Sequence, residues 1–160
     1  MSWDFDRLEA FARELARAPG RWRDLVNHDP AQRTYELLHH DEAVMAWLIC
    51  WMDDHDTGFH DHDGSAGAVA VIDGAVREDR LRLAAAPLQR VVRAGESFTF
   101  GPADIHRVRH HGGRPAITVH AYSPPLWRMG AYEIEPGGAL RRHSISYAEE
   151  LRPVSPAASA

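Results

Sequence analysis

The sequence predicts a mainly β protein, a sandwich or barrel, with one or two helices at its N-terminus. Short apolar stretches alternate with turn residues from about residue 44 to residue 134. Asp73-Gly74 is a strong hairpin signal, and Gly101-Pro102, Gly112-Gly113 and Pro124-Pro125 mark further turns. Many short strands with regularly spaced turns are typical of β-sandwiches and barrels.

The first thirty residues have a helical pattern. Pro19-Gly20 is expected to end a first helix, and a second short helix is predicted at Arg21–Asn27, closed by Asp29-Pro30. We therefore expect residues 1–30 to pack as a helical segment on a β domain of residues 31–151. The helical spacing is carried by Phe5, Leu8, Phe11, Ala12 and Leu15.

The tail at residues 152–160 is rich in Pro, Ser and Ala and is predicted to be disordered. Strands are predicted after about Arg33, from apolar runs and from the alternation of apolar and polar residues. The predicted strands are Val44–Met52, Gly67–Ile72, Ala75–Arg82, Gln89–Arg93, Glu96–Phe100, His106–His110, Ile117–Tyr122 and Ala131–Ile134.

Composition narrows the class of function. The 160 residues suit one domain, and the net charge of −5 gives no electrostatic reason to bind nucleic acid or an anionic membrane. The apolar run Ala43–Met52 is too short to span a bilayer. Cys50 is the single cysteine and no secretory signal is visible, so we expect a cytoplasmic protein, either a monomer or a small homo-oligomer.

The histidines are the unusual feature, eleven in all. His60 and His62 are two residues apart, so in a strand both imidazoles point to the same side and can reach one ion. His106, which opens a predicted strand, is the best-placed third ligand. An incidental pair of histidines is the alternative. The other histidines outside predicted strand interiors are expected to be solvated or structural: His28, His39, His40, His55, His110, His111 and His143.

Thr118, His120 and Tyr122 form a second polar group on one strand. They alternate with apolar residues and so share one face. If that face is buried, the three must hydrogen-bond one another, with His120 orienting the Tyr122 hydroxyl. A face turned to solvent is the alternative.

Several stretches together resemble the cysteine dioxygenase family of thiol dioxygenases, in the cupin superfamily. The resemblance implies a single cupin-type β-barrel, a double-stranded β-helix or jelly roll. It also implies an Fe(II) ion on His60, His62 and His106, with Thr118 in the place of the family's serine beside His120 and Tyr122. The matching stretches are Trp47–Trp51, Thr57–His62, Gly74, His106–Val108 and Thr118–Leu126.

Two departures from related proteins bear on the site. Many cupins carry a glutamate ligand after the histidine pair, and Asp63–Gly67 contains none, as in the all-histidine thiol dioxygenases. In the animal enzymes a cysteine near this point is cross-linked to the tyrosine. Gly67 stands there in this chain, so Tyr122 is expected to be uncrosslinked, and Cys50 is expected in a buried strand before the site.

The resemblance implies oxidation of a small thiol by O2 to a sulfinate. A thiol carboxylate such as cysteine or 3-mercaptopropionate needs a cation for its carboxylate, and arginine binds carboxylate bidentately. The arginine two residues after a tyrosine in the animal enzymes is absent, which leaves Arg33 and Arg128 as alternatives, each of which is otherwise a solvated surface residue. A zinc-dependent hydrolase and a non-catalytic metal- or small-molecule-binding cupin are the competing hypotheses.

Overall fold

The computed structural model describes residues 2–146, so the predicted disordered tail at 152–160 lies outside the described residues. The described part has one α-helix, α1, two 3-10 turns at Pro19–Arg21 and Arg23–Leu25, and eleven strands. None of its helices is long and apolar enough to cross a membrane. The bounds are α1 (Phe5–Ala16), β1 (Thr34–His40), β2 (Met45–Trp51), β3 (Phe59–Asp61), β4 (Ala66–Asp73), β5 (Ala75–Arg82), β6 (Ala85–Arg93), β7 (Ser97–Phe100), β8 (His106–His110), β9 (Ala116–Ser123), β10 (Arg128–Ile134) and β11 (Leu140–Ser146).

The strands form two antiparallel sheets. One has the order β1-β2-β9-β4-β7 and the other β11-β10-β3-β8-β5-β6. Among residues 2–146 the two sheets share no strand and do not close into a barrel, so the architecture is a double-sheet jelly roll. The predicted mainly β, jelly-roll fold is confirmed. The largest core lies between the sheets and includes Ile49, Trp51, Phe98, Phe100 and Met129.

The helix α1 covers the outer face of the first sheet. Asp4 caps its N-terminus by accepting a hydrogen bond from the Arg7 N–H at 2.8 Å. Leu8, Ala12 and Leu15 are buried against a face made mostly of small residues. Small side chains let the helix approach the sheet closely. The sheet face consists of Ala46, Ala66, Ala68, Ala70, Val119 and Ala121.

This packing decides the orientation of β9. Because Val119 and Ala121 face α1, the alternating residues Thr118, His120 and Tyr122 face the space between the sheets, where all three are buried. The solvent-facing alternative considered for these residues is therefore wrong.

Other elements differ from the prediction. The expected second helix at Arg21–Asn27 is replaced by the 3-10 turns, and Trp22 and Val26 from this region pack beside Cys50 of β2. Strands β1 and β11 were not predicted individually. Both lie at sheet edges and β11 is almost wholly exposed, so no alternation of apolar residues is required of it.

Candidate metal centre

The second sheet brings three histidines together. His60 lies in β3, and His62 follows that strand directly. His106 opens β8 and pairs opposite His60. One ligand atom from each lies within 4.8 Å of the others, and all three residues are buried. The structure thus brings together the three histidines that the sequence singled out.

The hydrogen bonding of these rings fits a metal ion. The Nδ1 atom of His60 lies 3.1 Å from the carbonyl oxygen of Gly58. Within residues 2–146, Nε2 of His106 and both ring nitrogens of His62 are buried without a hydrogen-bond partner. Buried polar atoms that lack partners cost free energy, and coordination to a metal would satisfy Nε2 of His106 and one of the two nitrogens of His62. The residues present therefore fit a three-histidine metal centre.

The protonation state of the ligands is also suitable. Burial, followed by the influence of neighbouring imidazoles, holds the pKa values of His62 and His106 well below the ordinary histidine value. Both are consequently neutral near pH 7, and neutral imidazole is the form that binds metal ions.

A buried carboxylate behind His106 was missed by sequence reasoning. Glu78 of β5 lies with an oxygen 2.8 Å from Nδ1 of His106. The available signal was its position two residues after Val76, because residues two apart in a strand lie on the same face, here the core-facing one.

The first sheet contributes a row of hydrogen-bonded side chains. Trp51 donates from Nε1 to the Thr118 hydroxyl at 2.8 Å, and Nε2 of His120 lies 3.0 Å from the same oxygen. The Tyr122 hydroxyl lies 3.4 Å from Nδ1 of His120, and its ring is 5.3 Å from that of His62. The row thus reaches the metal ligands. Trp51 was predicted only as a buried strand residue, and nothing in the sequence pattern marked its donor role.

A cavity of about 30 Å³ joins the two groups of residues. Apolar side chains form its walls, and Arg33 is the one arginine among the described lining residues. The lining consists of Arg33, Trp47, Ile49, Thr57, His60, His62, His106, Val108, His120, Tyr122, Leu126 and Met129.

The two arginines predicted as alternatives therefore occupy different places. Arg33 precedes β1, lines the cavity, and has its guanidinium carbon 5.4 Å from the centre of the Trp51 ring. Arg128 is exposed at the start of β10 and lines a separate surface groove with Trp127 and Ile145. The structure does not bring Arg128 to the three histidines.

Gly67 and Cys50 lie where a cross-link to Tyr122 is not available. Gly67 is paired opposite Tyr122, but a Cβ atom at Gly67 would lie 2.2 Å from Cζ of Phe100, so the Phe100 ring fills the space a side chain would need. Cys50 is buried on the outer face of β2 with Leu48 and Ile117, away from the cavity.

Asp61 lies between His60 and His62 in the chain. Its side chain points to the opposite side of the strand and is buried. Its carboxylate accepts hydrogen bonds from Arg142 Nε at 2.8 Å, from the Tyr132 hydroxyl at 2.5 Å and from the Gly130 N–H at 3.1 Å. Burial raises the pKa of Asp61, but these hydrogen bonds outweigh it and hold the pKa well below its usual range. Strands β10 and β11 are thereby tied to the backbone that carries His60 and His62.

The amino-acid sequence is similar to those of known cysteine dioxygenases. Residues 3–135 match the family described as Cysteine dioxygenase type I. The chain belongs to this family. The human cysteine dioxygenase type 1 is 22% identical over 142 residues, covering 82% of this chain and 71% of that protein. The Bos taurus enzyme of the same name is 20% identical with the same coverage.

Solved structures agree on the fold. A protein from Thermus thermophilus superposes with a TM-score of 0.57 at 16% identity, covering 64% of this chain and 93% of that one. A cupin superfamily protein from Desulfitobacterium hafniense gives a TM-score of 0.55 at 11% identity, covering 64% and 87%. These similarities establish the cupin fold alone. The cysteine dioxygenase family is metal-dependent, and the three histidines of this member form a cluster able to hold a metal ion.

The burial of His120 predicts a pH dependence of stability. Burial, then the charge of Arg33 and the influence of His60, lowers the pKa of His120 to about 3. Below about pH 6.5 the unfolded chain therefore binds a proton at this position that the folded state refuses, so stability conferred at neutral pH is lost as the pH falls toward 3.

The measurement is the free energy of unfolding of the metal-free protein by urea between pH 3.5 and 7.5. In His120→Gln the slope of this free energy against pH should fall by up to about 1.4 kcal/mol per pH unit, one proton's worth. An unchanged slope would mean that His120 is protonated in the folded state. His143→Gln, at an exposed position, is the control and should leave the slope close to that of the parent protein.

Proposed function

We propose that this protein is a non-haem iron thiol dioxygenase that oxidises the sulfur of a small thiol carboxylate to a sulfinate with O2. The observation that carries the proposal is the meeting, in one small cavity, of three buried histidines, the Tyr122 hydroxyl and the Arg33 guanidinium. Membership of the cysteine dioxygenase family supports it. A cytoplasmic location is part of the proposal, because thiols stay reduced there.

The ligand set suits this chemistry. His60, His62 and His106 would hold Fe(II), and imidazole is a ligand type that iron accepts. When bound, the ion supplies positive charge that favours the thiolate form of the substrate, together with open positions for thiolate and O2. The reaction balances as R–SH plus O2 giving R–SO2H: the S–H and O–O bonds break, two S–O bonds form, and the proton leaves on ionisation of the sulfinic acid. Sulfur is oxidised and O2 is reduced.

The apolar walls protect the reacting atoms. Val108, Leu126 and Met129 are buried and line the cavity. They exclude water from the sulfur, and the polar groups of the cavity would set its orientation. Holding two reactants in a reactive geometry is a contribution that a protein can make to the rate.

Arg33 is proposed to bind the substrate carboxylate. Its planar guanidinium can pair with both oxygens, and the Trp51 ring beside it limits where it can point. The described residues that line the cavity include no aspartate or glutamate that could pair with a substrate ammonium group. Cysteine would therefore have to bind with its amine uncharged, whereas 3-mercaptopropionate has no amine. Both remain in the proposal.

Tyr122 is proposed to donate a hydrogen bond into the cavity. Because Trp51 Nε1 can only donate, Thr118 accepts from it. The single hydroxyl hydrogen of Thr118 can be donated to Nε2 of His120 at 3.0 Å or to the Ile49 carbonyl at 3.4 Å, and the proposal takes the shorter contact. His120 would then donate from Nδ1 to the Tyr122 oxygen, so that the tyrosine proton is directed at the bound substrate or O2. The neutral state of His120 permits this direction of donation.

A zinc hydrolase fits the site less well. Hydrolysis needs a general base at the attacking water, commonly a carboxylate. Among the described residues, the nearby carboxylates of Asp61 and Glu78 are held by arginines and do not line the cavity. A non-catalytic binding protein remains as an outcome of the first experiment below.

The first prediction concerns iron and oxygen. Protein loaded with Fe(II) should bind about one iron per chain and consume O2 when cysteine or 3-mercaptopropionate is added, with the sulfinate detected by mass spectrometry. His106→Ala should lose both the iron and the O2 uptake, because a ligand is removed. His111→Ala, on the exposed surface, is the control. Bound iron with no O2 uptake on any thiol would point to the non-catalytic alternative.

The second prediction concerns the hydroxyl of Tyr122. Tyr122→Phe removes one oxygen and should retain iron while lowering kcat about 10- to 100-fold, the usual size of effects around a metal site. Stopped-flow or oxygen-electrode rates together with iron analysis provide the test. Tyr35→Phe removes a hydroxyl from a tyrosine that packs against Trp47, outside the cavity lining, and should change kcat little. A fully active Tyr122→Phe enzyme would reduce the row to structural packing.

The third prediction separates the two arginines. Arg33→Gln should raise KM for thiol carboxylates at least tenfold and leave activity on cysteamine, which has no carboxylate, nearly unchanged. Arg128→Gln makes the same change at the exposed position and should leave both values close to those of the parent enzyme. If the activity of the parent enzyme on cysteamine is equal to its activity on both acids, no carboxylate anchor exists and the role given to Arg33 is wrong.

A further inference from the structure

We infer that Glu78 is a positioning residue for the metal centre, holding His106 in the tautomer and orientation that present Nε2 to the ion. The inference rests on the proposed three-histidine metal centre, and it is independent of which thiol, if any, is oxidised.

The contact between Glu78 and His106 is direct and buried. One carboxylate oxygen of Glu78 lies 2.8 Å from Nδ1 of His106, and both side chains are 1% exposed. The two residues lie on neighbouring strands, with Glu78 paired to Val108 and Arg80 paired to His106 in the β5–β8 ladder. Register alone therefore keeps the carboxylate beside the ring.

Two arginines pair with the two oxygens of Glu78. Arg80 Nη2 donates to the same oxygen that contacts His106, at 2.8 Å, and Arg90 Nε donates to the other oxygen at 2.5 Å. A buried carboxylate is tolerated when it is paired and hydrogen-bonded in this way. The arginines are themselves held, Arg80 by the Thr99 carbonyl at 2.7 Å and Arg90 over the Phe98 ring at 4.7 Å.

The tautomer of His106 follows from this arrangement. Both oxygens of Glu78 accept hydrogen bonds from arginines, so Nδ1 of His106 is the donor in its contact with Glu78. In the neutral ring the proton then resides on Nδ1, and the lone pair is on Nε2, the buried atom without a hydrogen-bond partner within residues 2–146. Carboxylate support of this type fixes ring orientation and raises the basicity of a metal-bound imidazole.

The strand also offers a matched control. Asp79 is the next residue, is 3% exposed, and lies between Arg77 Nε at 2.8 Å and Arg109 Nη2 at 2.9 Å. It is a buried carboxylate between two arginines like Glu78, but it is on the opposite face of β5, away from the ligands. Replacement of either carboxylate by its amide makes the same chemical change in the same strand.

The experiment compares Glu78→Gln with Asp79→Asn in the full-length protein. Fe(II) affinity is measured anaerobically by competition with a chelator, and the Fe(III)/Fe(II) midpoint potential is measured by spectroelectrochemistry. We expect Glu78→Gln to bind Fe(II) about 10- to 100-fold more weakly. Its potential should be higher than that of the parent protein, because the lost negative charge stabilised Fe(III) more than Fe(II). Asp79→Asn should change affinity by no more than about twofold, because its carboxylate contacts Arg77 and Arg109 and none of the ligands.

Equal affinities and potentials in the two variants would overturn the inference. A measurement on the unaltered chain covers the case in which Glu78→Gln does not fold. In the Zn(II)-loaded protein, long-range ¹H–¹⁵N spectra should show His106 protonated at Nδ1 and bound through Nε2, and a metal-bound Nδ1 would overturn the inference as well. None of these three measurements uses a thiol, so a failure of the proposed dioxygenase reaction would be detected separately, in the O2 uptake assay.

Discussion

The burial of three imidazoles between two sheets is the constraint on which the rest of this structure depends. The ring nitrogens of His62 and Nε2 of His106 have no partner among the described residues, so the fold must hold them in place without hydrogen bonds on the metal side. The short strand β3 therefore needs support from behind. Asp61 supplies it through Arg142 and Tyr132, and in doing so requires Gly130, where a Cβ atom would lie 2.6 Å from the Asp61 carboxylate.

The two sheets divide the work of building the site. The six-stranded sheet supplies the ligands and, behind them, the carboxylates of Glu78 and Asp61, each paired with arginine. The five-stranded sheet supplies the uncharged row that ends at Tyr122. The carboxylates of Glu78 and Asp61 are thus kept on the side of the ligands away from the cavity, and Arg33 is the one arginine among the described residues that line it.

Much of the site could be predicted from local pattern, because a period of two in a strand places alternate residues on one face. The pair His60 and His62 and the row from Thr118 to Tyr122 were identified in this way. The same rule could have identified Glu78, which shares a face with Val76, but a charged residue in a strand is normally assigned to solvent. The edge strand β11 could not be predicted, since its exposed side chains carry no periodic signal, and yet its Arg142 supports Asp61.

The sequence by itself determined the mainly β fold, the family resemblance and the identity of the candidate ligands, because these depend on short-range spacing along single strands. Only the tertiary structure placed Arg33 at the cavity and Arg128 at a separate surface groove, since their positions depend on how β1 and β10 are placed in different sheets. It also decided that Phe100 fills the space beside Gly67, a contact between β7 and β4. Contacts between residues distant in the chain are set by packing between strands and sheets, which no local pattern encodes.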